Sequence, residues 1–208
     1  MRNSVLLLAA LSCATLTGCS TASTGSDGAG SDTFNRNTIG EYQAFTDGGG
    51  TWSVANGALS GRGIAQHGVL VRKGTRMKTG WVEAKSDTAD DGGLVLRFAD
   101  NQNYVLLAFR DDAQSPWFYG NNLALYTRVE GDFDELASLN VSWPRGTLHT
   151  VRLEAGDGVL RIYFDGTLLR SVPMPADTPA EGLIGVRHFG ETPGWTTRID
   201  ELRWDLDR

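Results

Sequence analysis

The stretch Asp90-Asp-Gly-Gly-Leu-Val-Leu-Arg-Phe-Ala-Asp-Asn-Gln-Asn-Tyr-Val-Leu-Leu-Ala-Phe-Arg110 reads as two strands joined by a tight polar turn. Leu94, Leu96 and Phe98 fall on one face of the first strand, and Val95, Arg97 and Ala99 on the other. After the Asp100-Asn101-Gln102-Asn103 turn, Val105, Leu107 and Phe109 alternate against Tyr104, Leu106, Ala108 and Arg110. One face is wholly apolar. The other mixes small apolar side chains with Arg97, Tyr104 and Arg110, the pattern of a sheet that packs on one side and cups something polar on the other.

Outward from this hairpin the same alternation recurs, with almost no helical periodicity. Trp52 and Val54 share a face before the Asn56-Gly57 turn, a strong two-residue hairpin signal. Val69-Leu-Val and Gly80-Trp-Val-Glu-Ala-Lys follow, the latter with Trp81, Glu83 and Lys85 on one side and Val82 and Ala84 on the other. Downstream, strands are expected at Asn122–Val129, Leu148–Ala155, Val159–Phe164, Thr167–Val172, Gly182–Phe189 and Thr196–Leu206, with Asp165-Gly166 as a further hairpin turn. Pro173, Pro175 and Pro179 mark a connection or an edge. About a dozen strands and no helix long enough to cover a sheet require sheet packed on sheet.

The N-terminus is of another kind. One basic residue, Arg2, precedes a short apolar run that is well under the roughly 20 residues needed to cross a bilayer, so residues 1–18 read as a secretory signal. Leu16-Thr-Gly-Cys19 resembles the lipobox of bacterial lipoproteins, which implies cleavage before Cys19 and acylation of that residue. Ser20 at the next position implies, by the same resemblance, the outer membrane, with the domain facing the periplasm or the exterior. Residues 19–31, rich in Ser, Thr, Gly and Ala, form a flexible tether with a reach of about 20 Å, and 32–208 form one domain. Cys13 leaves with the signal and Cys19 is lipidated, so no disulfide is expected. The chain carries 19 basic and 25 acidic side chains, a net charge of −6, which disfavours nucleic acid as a partner.

Trp52-Ser-Val-Ala-Asn-Gly57, the Gly93-Leu-Val-Leu-Arg97 to Tyr104 hairpin, Leu148-His-Thr-Val-Arg-Leu153, Ile162-Tyr-Phe-Asp-Gly166, Gly182-Leu-Ile-Gly-Val186 and Ile199-Asp-Glu-Leu-Arg203 together resemble the concanavalin A-like lectin/glucanase superfamily in its laminin G-like branches. The likeness runs from about Thr33 to the C-terminus. It implies an all-β fold, a two-sheet antiparallel jelly-roll sandwich, with carbohydrate held on the concave sheet or its loops. It also implies a possible structural calcium ion, for which Asp32 and Asp200 are the candidate ligands.

For a glycan, the candidate surface is Arg97, Tyr104 and Arg110 with Tyr126 and Arg128 from the next strand, since aromatic rings stack on sugar faces and guanidinium forks donate to hydroxyls or a uronic carboxylate. The same residues would equally serve a solvated face with arginines paired to local acids. Trp117 and Tyr119, in the aromatic loop Ser115–Tyr119, and Trp195 either contact ligand or plug the end of the sandwich; His188 lies next to Arg187 and joins the candidates. Trp52, Trp81 and Trp204 read as packed, and His149 as structural. A glycoside hydrolase on this scaffold needs two carboxylates about 5–9 Å apart. Asp132, Asp134 and Glu135 come closest but read as a turn, and the acidic trio of laminarinase-like glucanases and the alginate-lyase signatures are absent. The opening Trp-x-Val-x-x-Gly and the Gly-x-x-x-Arg strand are shared with 3-keto-disaccharide hydrolase-like proteins, so that enzyme class and an envelope protein-interaction module stand beside the lectin-like reading.

Overall fold

The computed structural model describes residues 28–46, 50–63, 68–113, 122–190 and 194–207. Cys19, His67 and the Trp117 and Tyr119 loop lie outside them. Two antiparallel sheets face each other. The first has six strands in the order β1 (Ala29–Asp32), β17 (Glu201–Asp207), β6 (Thr79–Ser86), β12 (His149–Gly156), β13 (Val159–Phe164) and β14 (Thr167–Pro173). The second has seven: β11 (Asp132–Leu139), β10 (Leu123–Val129), β9 (Asn103–Phe109), β8 (Gly92–Asp100), β15 (Leu183–His188), β5 (Gly68–Arg72) and β2 (Tyr42–Thr46). A four-stranded sheet, β3 (Thr51–Ala55), β4 (Ala58–Arg62), β16 (Thr196–Ile199) and β7 (Thr88–Ala89), completes the molecule. This is the expected all-β sandwich. Pairing with β17 already begins at Ala29, three residues ahead of the boundary that composition suggests.

The hairpin Asp90–Arg110 is β8 and β9, at the centre of the seven-stranded sheet. Its turn falls where expected, with Asp100 opposite Asn103. Leu94, Leu96, Val105, Leu107 and Phe109 enter the core between the sheets beside Val82, Leu153, Ile184, Val186 and the fully buried Trp143. Val95, Leu106 and Ala108 form a second apolar cluster on the opposite face, with Val69, Val71, Phe98 and Tyr104. The central strands are thus buried on both faces, which is why they are nearly continuous apolar runs.

Arg97 corrects the expected alternation. It has φ 52°, and the β8–β9 register shifts between Leu96 and Asp100, a bulge that moves Phe98 to the face of Val95. Arg97 itself leaves the cupped face. Its Nε and Nη2 donate to the Lys78 carbonyl at 3.0 and 2.5 Å, and its Nη1 donates to the Pro179 carbonyl at 3.0 Å. It fastens the Pro-rich connection to the start of β6. A Cβ on Gly182 would lie 2.3 Å from the Arg97 carbonyl carbon, so only glycine lets β15 enter beside the bulge.

His188 is likewise structural. It is fully buried and turned away from Arg187, with Nδ1 3.0 Å from the Thr197 hydroxyl of β16. Burial lowers its pKa from 6.5 to about 4, with the Asp91 carboxylate opposing and the Arg187 guanidinium reinforcing the shift. The Thr196–Leu206 run divides at Asp200 into β16 and β17, which join different sheets. Asp132, Asp134 and Glu135, expected in a turn, lie along the edge strand β11.

Two outcomes follow from these contacts. Gly182→Ala forces a backbone shift at the bulge and is expected to lower the unfolding free energy by about 2–3 kcal/mol or more in urea titrations. For His188, the unfolded chain binds the extra proton between pH 6.5 and about 4. Stability is therefore lost as pH falls through that window, by on the order of 3 kcal/mol. His188→Asn should lose less than the parent protein between about pH 7 and about pH 4.5; equal losses would overturn this assignment.

Candidate functional site

The outer face of the seven-stranded sheet carries a hollow of about 180 Å³ lined by Asp91, Leu106, Ala108, Arg110, Tyr126, Phe133, Arg187 and Phe189. Strand register explains why it exists. Arg187 of β15 lies opposite Gly93 of β8, Gly93 opposite Ala108 of β9, and Ala108 opposite Ala124 of β10. Three small residues in one row lower the sheet surface. The next row, Gly185, Val95, Leu106, Tyr126 and Glu135, rises again to a wall. A Cβ on Gly93 would lie 2.6 Å from Leu106 Cδ1, so the Leu106 side chain covers this glycine.

At one end the buried Asp91 carboxylate accepts from two arginines, Arg110 through Oδ2 and Arg187 through Oδ1. All three side chains are at most 6% exposed. One carboxylate thus bridges two buried guanidinium groups. The Arg187 Nε is buried with no hydrogen-bond partner. Both guanidinium groups lie against aromatic rings, Arg187 5.0 Å from the Phe189 centroid and Arg110 5.6 Å from that of Trp195. At the opposite wall the Tyr126 hydroxyl donates to Glu135 Oε2 at 3.2 Å. Burial, helped by the Glu135 charge, pushes the Tyr126 pKa up to about 12, so the phenol stays protonated and acts as a donor.

The expected site residues therefore divide. Arg110, Tyr126 and Trp195 gather at or beside the hollow. Tyr104 is on the right face but fully buried, stacked on Phe98 at 5.7 Å and edge-on to Phe133 at 6.2 Å, and serves as packing beneath the surface. Arg128 clamps two turns, donating to the Asn101 carbonyl at 2.6 Å and the Gly131 carbonyl at 3.1 Å. Arg97 and His188 belong to the fold. Asp91, Arg187, Phe133 and Phe189 were missed. Asp91 reads as part of a turn, and Arg187 and Phe189 as the end of a strand; only the pairing of β8 with β15 brings them together.

Asp32 and Asp200 make a poor donor set for a shared calcium ion. Asp32 accepts from the Phe34 amide at 2.9 Å, the Tyr42 hydroxyl at 3.1 Å and Arg72 at 3.5 Å. Asp200 Oδ1 pairs with Arg198 at 2.5 Å, which leaves only its buried Oδ2 without a partner. Among the described residues, no three His, Cys, Asp or Glu side chains group as metal ligands.

No protein-family model and no curated protein matches the chain. Solved structures do. The carbohydrate binding module CBM66 from Bacillus subtilis superposes with TM-score 0.59 at 14% identity, over 80% of this chain and 92% of that one. A Bacillus licheniformis beta-glucanase gives 0.60 at 13%, over 89% and 100%. A Bacillus subtilis protein of unknown function with a galectin-like fold gives 0.62 at 13%, over 85% and 96%. At such identities the likeness concerns the fold alone: the chain is an antiparallel jelly-roll sandwich.

Proposed function

We propose that this domain binds carbohydrate in the hollow on the outer face of its central sheet. The observation that carries the reading is the hollow's make-up: Leu106 and Ala108 at its floor, rings from Tyr126, Phe133 and Phe189, and guanidinium groups fixed at one end. A sugar ring presents an apolar face to aromatic side chains and hydroxyls at its edge, and this arrangement serves both. The structural neighbours, a carbohydrate binding module and a beta-glucanase among them, support the same class of ligand.

Binding is favoured over hydrolysis by the acids available. Of the two described carboxylates at the hollow, Asp91 is committed to two arginines and Glu135, at the wall, accepts from the Tyr126 hydroxyl. Glycosidic cleavage of the usual kind calls for two carboxyl groups flanking the bond, one of them protonated.

We further infer that Cys19, outside the described residues, is acylated and anchors the domain through its tether at the cell envelope, in the outer membrane. Two or three acyl chains suffice, since each buried methylene contributes about 0.8 kcal/mol.

Two measurements test these readings. A glycan array should give a saccharide hit, and Tyr126→Ala should weaken it roughly tenfold or more by titration calorimetry, as expected for loss of a ring contact worth about 1–1.5 kcal/mol. Trp81→Ala, on the far face of the other sheet, should leave affinity unchanged; release of reducing sugar would favour the hydrolase reading instead. Cys19→Ser should move the protein from the membrane to the soluble fraction and remove the acyl mass, and an unaltered distribution would refute the anchor.

A further inference from the structure

The wall of the hollow opposite the ion cluster carries an acid that the fold itself does not use. Resting on the carbohydrate reading above, we propose that Glu135, aligned by Tyr126, reads two adjacent free hydroxyls, so that the unit held in the hollow is an uncharged sugar. Glu135 lies opposite Tyr126 in the β10–β11 register and on the same face of β11 as Phe133. Phe133 stands edge-on to the Tyr126 ring, with 6.0 Å between centroids, so the carboxylate sits beside the rings that line the hollow. The register shifts directly beyond this pair, between Leu125 and Tyr126, a bulge of the kind that re-aims a side chain.

Glu135 differs from the other glutamates on the described strands. On the outer face of the six-stranded sheet Glu83 pairs with Arg152 at 2.8 Å, Glu154 with Arg161 at 2.7 Å and Glu201 with Arg203 at 2.8 Å. Glu135 has no arginine among the described residues; its Oε2 accepts from the Tyr126 hydroxyl at 3.2 Å. Arg128, the basic residue on the same face of β10, is taken up by the Asn101 and Gly131 carbonyls and lies 4.9 Å from the Phe133 centroid. Glu135 is exposed, so its carboxylate is within reach of a ligand. A carboxylate held at one oxygen by a phenol keeps the other oxygen for incoming donors. Adjacent hydroxyls of a sugar ring offer such donors side by side, and hydrogen bonds to a charged acceptor are the stronger kind. A second anion brought to this wall meets like charge instead. The sugar ring would then lie over Ala108, with its hydroxyl edge toward Glu135.

The test is titration calorimetry of the full-length chain with oligosaccharides of glucose, galactose and mannose, their per-O-methylated forms, and the charged glucuronate, galacturonate and glucosamine counterparts. A neutral saccharide is expected to bind at least about tenfold more tightly than its methylated form and its charged counterparts, with little change as salt is raised. Any other saccharide found on the array is titrated against its own methylated form. Glu135→Gln, which keeps the side-chain shape and an acceptor for Tyr126, should weaken the neutral saccharide about tenfold. Asp134→Ala removes the same charge from the other face of β11 and should leave affinity unchanged. Both side chains are exposed, so both variants should unfold at the parent temperature. A loss in Glu135→Gln no greater than that in Asp134→Ala, equal affinity for the methylated form, or tighter binding of a charged saccharide overturns the Glu135 inference and leaves the carbohydrate reading standing. No binding of any saccharide here or on the array overturns both.

Discussion

The ion cluster of Asp91 with Arg110 and Arg187 ties together the three strands from which the hollow is built. Its members come from the residue before β8, the residue after β9 and the end of β15, so one carboxylate fixes the ends of three adjacent strands. Burying three charges costs heavily in desolvation, and an apolar trio of similar volume would stabilise such a face at least as well. The surroundings would accept one: Val69, Val71, Val95 and Leu106 already make this face apolar. Stability alone therefore does not account for charged residues here. They fix a register and hold two guanidinium forks in set positions, as recognition of a planar anion or a row of hydroxyls requires.

Burial on both faces also constrains what the sheet can offer a ligand. The inner face must match the other sheet, and Leu94, Leu96, Leu107 and Phe109 do so as an ordinary sandwich core. The outer face must then be apolar without being flat, because a flat apolar surface invites association. The solution is a gradient of side-chain size across register rows. Glycine and alanine lie in one row, Leu106 and Tyr126 in the next, and Phe98, Tyr104 and Phe133 pack together beyond them. Shape here is a property of neighbouring strands, and no single strand contains it.

That distinction explains what was legible in the sequence. Period-two alternation and turns at Asn56-Gly57, Asp100–Asn103 and Asp165-Gly166 reveal the hairpins and the all-β class, because those signals are local. The positions of Arg110 and Tyr126 on one face follow from the same rule. Arg97 does not, because a single residue at positive φ breaks the alternation and nothing in the run Leu-Val-Leu-Arg-Phe announces it. His188 fails for the complementary reason: alternation from Arg187 already turns it inward, and adjacency in sequence was mistaken for adjacency in space. The Asp91 and Arg187 pair, 96 residues apart, needed the β8 and β15 pairing to become visible.

The balance between local and overall charge bears on how such a site would work. The protein as a whole is acidic, at −6, while the hollow holds two guanidinium groups at one end. A charged ligand approaching from solution meets that overall field, which at physiological salt decays over about 8 Å. Phe133, Phe189 and Tyr126 line the hollow, and a guanidinium contact beside them is screened less than one on an open surface. Selectivity would therefore arise in the slow departure of a seated ligand more than in its rate of arrival.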